Sequence, residues 1–191
     1  MKKCSVAVFA SGNGSNAENL FHYFSENGSI EVKLLVCNKS DAPVVLKATN
    51  FNIPVVIFSN EQIEQGDALL AELRKQEIEW IVLAGFLRKV PELVIQHFSN
   101  RIINIHPSLL PKFGGKGMYG MHVHRAVSEA GEKVSGITIH LVNEEFDKGK
   151  ILAQFQVELD AHEAPESIAS KIHALEQEHF PNIVEQTILN S

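Results

Sequence analysis

Asn104 and His106, two positions apart in INIHPSLLP, are the side chains of this 191-residue sequence best placed to do chemistry. An apolar run leads into them, which puts them at the carboxyl end of a strand, where residues at i and i+2 project from one face. Open α/β sheets take their ligands at that edge. Pro107 holds His106 in the extended region and so fixes the direction of its imidazole. An amide donor beside an imidazole suits an oxygen that gains negative charge in a reaction. A polar pair ahead of a proline is also an ordinary way to start a turn, and the residues alone leave both readings standing.

Two other stretches carry candidates. NEEFDKG, from Asn143 to Gly149, has the glycine and charge of a hairpin connection. Folded toward His106, it would set the Asp147 carboxylate against the imidazole and raise the imidazole's pKa. GNGSN, from Gly12 to Asn16, ends an apolar run and feeds a helix from Ala17. With Ala17 it fits G-x-G-x-x-A, the turn of a dinucleotide site, which also needs an acid at the end of the second strand. Here that strand ends Val36-Cys37-Asn38-Lys39, and Asp41 comes too late. A phosphate cradle on the helix N-terminus, with Ser15 and Asn16 adding donors, and a glycine turn without a ligand both stay open.

Other chemistries find little support. Gly115-Lys116 is followed by Gly117 rather than Ser or Thr, so this is not a Walker loop. His122-x-His124 opens a helix, where the two rings do not share a face, and no cysteine or second histidine pair joins them, so no metal is expected. No G-x-S-x-G elbow is present. His22, His97 and His162 are expected on the surface, and His140 on the wet face of its strand.

These candidates need elements to hold them. Apolar runs predict strands over 5–10, 32–37, 55–58, 79–84 and 101–105. Helices are expected over 17–26, closed by Asn27-Gly28, over 44–50, from a Ser59/Gln62 capping box to about 76, and from Pro91. Alternating strands and helices mean right-handed crossovers and a mostly parallel sheet. After the glycine-rich loop 112–120 come a helix over 122–130, two strands over 134–142 and 151–159, and a last helix opened by Pro165. The fold class is therefore α/β: one domain over 1–191, an open, mostly parallel twisted sheet with helices on both faces and a Rossmann-like amino-terminal half.

Bulk properties narrow the partners. A formal net charge of -6 argues against nucleic acid and anionic membrane, while leaving room for a local basic pocket. The longest apolar run, 80–87, is far short of the roughly 20 residues of a membrane span. The two lysines before the first apolar run imitate a signal peptide, but that run is too short and serves as the first strand. Cys4 and Cys37 are expected as reduced core thiols of a cytoplasmic protein.

GNGSN, LAGFLR from Leu83 to Arg88, NIHPSLLP from Asn104 to Pro111 and the FDKG loop, in this order over nearly the whole chain, resemble the phosphoribosylglycinamide formyltransferase family. HPSLLP alone is shared with methionyl-tRNA formyltransferase and formyltetrahydrofolate hydrolase, which carry added domains. The resemblance implies transfer of a formyl group from 10-formyltetrahydrofolate to the amine of glycinamide ribonucleotide, in purine synthesis. It implies two small-molecule substrates, no metal, no nucleic acid, no membrane, and a monomer or homodimer. Asn104, His106 and Asp147 match the catalytic trio, with His106 expected to work as an imidazolium kept charged by Asp147. Gly14, Ser15 and Asn16 match the loop that takes the ribonucleotide phosphate, and His173 and Glu176 match a further contact with that substrate. Leu87, Arg88, Lys89 and Val90, together with Asn143, Glu144, Glu145, Phe146 and Asp147, match the two segments that enclose the pterin, which Asn104 also faces. The chain departs from the pattern at Lys89, where an apolar residue is usual, at Ile137-Thr138, in a short stretch before Leu69, and in the glycine-rich KFGGKGMYG. Lys89 is expected at the pocket mouth with its ammonium in water. The rival is a nucleotide-binding protein without catalysis, against which the complete trio argues.

Overall fold

Val6 to Phe9 are apolar without interruption, so the strand β1 (Cys4–Phe9) can be buried on both faces and lies inside the sheet, with a strand on either side. The structure is a computed structural model that describes residues 3–26 and 28–191; Asn27, expected to close the first helix, lies outside the described residues. The chain continues through α1 (Ser15–Glu26), β2 (Ile30–Cys37), α2 (Pro43–Asn50), β3 (Val55–Ile57), α3 (Asn60–Gln65), α4 (Asp67–Lys75), β4 (Trp80–Leu83), α5 (Glu92–His97) and β5 (Ile102–His106). It ends with α6 (Met121–Glu129), β6 (Val134–Leu141), β7 (Ile151–Glu158) and α7 (Pro165–Leu189).

The seven strands form one sheet in the order β3-β2-β1-β4-β5-β6-β7. The first five are parallel, and β6 and β7 are antiparallel. Alternation along each strand divides the core. Val6 and Val8 pack with Leu20 of α1, Val44 of α2, Val123 of α6 and Ile168 of α7. Ala7 and Phe9 face Ile63, Leu69 and Val94 of α3, α4 and α5. Helices thus cover both faces, as the element order requires. No helix among the described residues is long and apolar enough to cross a membrane.

One element differs from expectation. The single helix expected after Ser59 is two, because Gly66 at φ 84° caps α3 in the left-handed region and α4 restarts from it. The Ser59 capping box forms as expected, with Gln62 N–H donating to Ser59 Oγ at 3.2 Å and Ser59 N–H donating to Gln62 Oε1 at 2.8 Å. The last helix runs on through Pro181 to Leu189, since its buried face continues through Phe180 and Val184.

Gly14 fixes the entry to α1. Its φ of 72° is a glycine conformation, and a Cβ there would lie 2.3 Å from Val44 Cγ2 on α2. The Val44 N–H also donates to the Gly12 carbonyl at 3.3 Å, so turn and helix are locked together. Gly14→Ala should therefore cost about 2–4 kcal/mol in urea unfolding, from left-handed strain plus overpacking. A loss below about 1 kcal/mol would mean that the turn swings away from α2 freely.

Candidate active site

β5 is the last parallel strand, and β6 runs antiparallel beside it, pairing Asn104 with His140 and His106 with Thr138. This register sets two imidazoles and an amide at one sheet edge. The segment after His106 is pinned from β6: Thr138 Oγ1 donates to the Ser108 carbonyl at 2.7 Å and accepts from the Leu110 N–H at 3.0 Å. Gln154 on β7 donates to the same hydroxyl at 2.9 Å. The unusual Thr138 is thus a fully bonded, buried hub under the HPSLL loop.

His106 is only 4% exposed. One ring nitrogen, Nε2, lies 2.9 Å from the Phe113 carbonyl, which can only accept, so Nε2 carries a proton. That leaves Nδ1 toward the cavity, 3.6 Å from Asp147 Oδ2. Asp147 is held in turn by the Gly115 N–H, which donates to Oδ2 at 2.8 Å. Burial pushes the Asp147 pKa up, but the His140 and His106 rings and the Gly115 N–H outweigh it, and the net shift is down. Asp147 is a carboxylate at neutral pH.

The expectation that Asp147 keeps His106 charged needs correcting. Burial lowers the His106 pKa below the ordinary histidine value, and the opposing pull of Asp147 and the Phe113 carbonyl does not restore it. The reason is geometric. The carboxylate stands beyond hydrogen-bond distance from Nδ1 and accepts instead from the Gly115 N–H, whereas the ring has lost almost all its water. The resting ring is neutral.

His140 is the residue that sequence reasoning misplaced. It is 2% exposed rather than on a wet face, because its side of β6 lies over the cavity beside β5. Its Nδ1 donates to the Leu141 carbonyl at 2.8 Å, so Nε2 is free to accept, and Asn104 Nδ2 donates to it at 3.0 Å. This bond fixes which end of the Asn104 amide is the donor and leaves its second N–H available. The signal was present: Ile137 and Ile139 alternate with Thr138 and His140, the face shared with Asn104 and His106. His124 on α6 was missed as well. It is 6% exposed at the cavity wall, Nδ1 has no partner, and burial lowers its pKa, aided by nearby His106.

Around these groups lies a cavity of about 1020 Å³. At one end Asn16 Nδ2 donates to Glu176 Oε2 at 2.9 Å, and His173 Nδ1 stands 3.6 Å from the same oxygen. Burial raises the Glu176 pKa, with Asn16 and His173 pulling against it. Gly14 and Ser15 lie behind Asn16 at the start of α1 and do not line the cavity. At the other end Leu87, Arg88, Lys89 and Val90 form one wall, and Asn143, Glu145, Phe146 and Asp147 the facing one; Glu144 is turned away to solvent. Lys89 is exposed as expected, and its ammonium lies 5.7 Å from the Phe146 ring centre, linking the two walls at the mouth. Arg88 Nε donates to Asn60 Oδ1 at 2.8 Å.

The chain is similar to known proteins of one family. A family profile described as formyl transferase matches residues 4–184. A phosphoribosylglycinamide formyltransferase of Bacillus subtilis (strain 168) is 41% identical over 193 residues, covering 98% of this chain and 95% of that protein. The chloroplastic phosphoribosylglycinamide formyltransferase of Arabidopsis thaliana is 44% identical over 93% of this chain. The chain spans 62% of that plant protein's length, and 61% of its Vigna unguiculata counterpart. Among solved structures, the phosphoribosylglycinamide formyltransferase of Anaplasma phagocytophilum superposes with a TM-score of 0.89 at 32% identity, covering 99% of this chain and 89% of that one. Glycinamide ribonucleotide transformylase 1 of Geobacillus kaustophilus gives 0.88 at 32% identity, covering 97% and 98%.

The electrostatics of the pair can be read directly. Asp147→Asn removes a charge that raises the His106 pKa, so the His106 titration should move to still lower pH in an NMR titration of the ring. The change should be read at His106, whose Nδ1 lies 3.6 Å from the carboxylate. An unmoved His106 would show that the 3.6 Å approach has no electrostatic weight.

Proposed function

The chain belongs to the formyl transferase family, among the phosphoribosylglycinamide formyltransferases, and we propose that it transfers the formyl group of 10-formyltetrahydrofolate to the amine of glycinamide ribonucleotide. The observation that carries this reading is a single cavity with Asn104, His106 and Asp147 at its middle. One end has the polar set Asn16, His173 and Glu176, and the other the paired walls of Leu87–Val90 and Asn143–Asp147. The first fits a ribonucleotide, and the second a flat ring with an acidic tail, for which Arg88 and Lys89 supply cations at the mouth.

The chemistry follows from the bonds already made. The substrate's neutral amine attacks the formyl carbon, and negative charge builds on the formyl oxygen. The second N–H of Asn104 is the donor to that oxygen, its direction set by the bond to His140. His106 starts neutral with Nδ1 open, so it takes the proton that the amine sheds, directly or through a water on Asp147. The imidazolium then faces a carboxylate at 3.6 Å and hands the proton to N10 as the carbon–nitrogen bond to the folate breaks. Protons balance: the amine loses one and the leaving nitrogen gains one. A base of lowered pKa stays unprotonated at neutral pH and is ready for this step. The reading carries a cytoplasmic location with it, supported by the buried Cys37 thiol, which donates to the Lys39 carbonyl at 3.2 Å as a reduced sulfur does.

Purified protein given 10-formyltetrahydrofolate and glycinamide ribonucleotide should release tetrahydrofolate. His106→Ala should cut kcat by about 100-fold or more with little change in either KM, as loss of a proton-transfer group does. Asn16→Ala should raise the ribonucleotide KM selectively. A wild type that binds both substrates without turnover would return the protein to the class of non-catalytic nucleotide binders.

A further inference from the structure

The loop between β5 and α6 holds a charge that the mechanism does not use. The Met118 N–H donates to the Gly115 carbonyl at 3.1 Å across Lys116 and Gly117, and Gly117 has φ 89°. This is a type II turn with Lys116 at its first corner and glycine at the corner that needs positive φ. Both ends of the turn are tied down. Gly115 donates to Asp147, while the Met118 side chain packs into the layer shared by α1, α6 and α7. The turn is therefore fixed between the catalytic carboxylate and the helices that carry Asn16, His173 and Glu176. Lys116 is exposed, lines the cavity, and has no hydrogen-bond or ion-pair partner among the described residues.

Among the described residues that line the cavity, no lysine or arginine other than Lys116 stands at the ribonucleotide end. His173 and Asn16 are both engaged with Glu176, and Lys47, on the neighbouring α2, is paired with Glu18 at 2.7 Å. Of the lysines and arginines that line the cavity, Arg88 is bonded to Asn60 and Lys89 lies over Phe146, both at the opposite end. A phosphate dianion beside a glutamate needs a counter-charge, which dipoles of a helix start do not fully provide. We propose that Lys116, presented by this turn, is the ammonium that neutralises the phosphate of the ribonucleotide and makes the site select phosphorylated over unphosphorylated substrate. The proposal rests on the formyl-transfer reading for the identity of the substrate, but its readout is binding.

The test compares glycinamide ribonucleotide with its dephosphorylated riboside by calorimetric titration, using wild type, Lys116→Gln and Lys116→Arg. The wild type should prefer the ribonucleotide, and Lys116→Gln should lose about tenfold of that preference at low salt, the scale of one charge-assisted hydrogen bond. Riboside affinity and the KM for 10-formyltetrahydrofolate should not move, and Lys116→Arg should keep most of the preference. A Lys116→Gln protein with unchanged preference, or one that loses both ligands equally, overturns the proposal. A wild type that binds the ribonucleotide but transfers no formyl group sinks the formyl-transfer reading and leaves this comparison decisive. A wild type that binds neither ligand overturns both.

Discussion

An imidazole taken out of water at the end of β5 has two nitrogens, and the fold sets a different loop against each. Nε2 is committed to the Phe113 carbonyl in the β5–α6 connection. Nδ1 is left to the Asp147 carboxylate in the β6–β7 connection, close enough for electrostatics and too far for a hydrogen bond. The gap keeps the burial penalty from being cancelled, so the ring rests neutral. A tighter ion pair would have raised the pKa and left the ring already protonated, with no lone pair to take a proton. The site therefore depends on a distance held by the Gly115 N–H, which bonds the same Oδ2 that faces the ring.

Sheet topology makes this arrangement available. In a wholly parallel sheet, β5 would be followed by another crossover, and its neighbour's carboxyl end would carry a separate loop. Because β6 returns antiparallel, its cross-strand residues Thr138 and His140 stand directly beside His106 and Asn104. One strand thus supplies the hub that orders the HPSLL loop and the acceptor that orients the amide. The hairpin from β6 to β7 then carries Asp147 back over the same edge, with a φ of 55° at that residue. Such a left-handed conformation at a non-glycine residue costs about 1–2 kcal/mol, offset here by the bonds the carboxylate accepts.

Much of this was legible in the sequence. Strand alternation and Pro107 suffice to put Asn104 and His106 on one face, and alternation of strands with helices suffices for the α/β class. The capping box at Ser59 and Gln62 was visible, but the break at Gly66 was not, since a glycine inside a helical pattern can be tolerated or can end it. His140 was misjudged for a physical reason: alternation tells which residues share a face, not whether water or a cavity lies over it. The resting charge of His106 was illegible in the same way. A carboxylate partner can be guessed from a loop, whereas the depth of burial that outweighs it is a property of the packed fold.

The distribution of charge ties the cavity to its proposed substrates. The chain carries a formal charge of -6, and both molecules assigned to it are anionic. At physiological salt the repulsion from distant surface charge fades within about 8 Å, so the groups lining the cavity decide. There the cations Arg88, Lys89 and Lys116 are exposed, while Asp147 and Glu176 sit deeper, at 13% and 14% side-chain exposure. On the proposed reading, anionic ends of the substrates meet these cations at the rim, beside the exposed Glu64 and Glu145, while Asp147 and Glu176 lie deeper, nearer the proposed reacting centre. Rim cations cost little to keep, being solvated when the cavity is empty. Interior carboxylates cost more, and each is retained by at least one directed hydrogen bond, from Gly115 to Asp147 and from Asn16 to Glu176. On that reading, rim cations let an acidic protein hold two anions while the proposed reacting centre needs only one mobile proton.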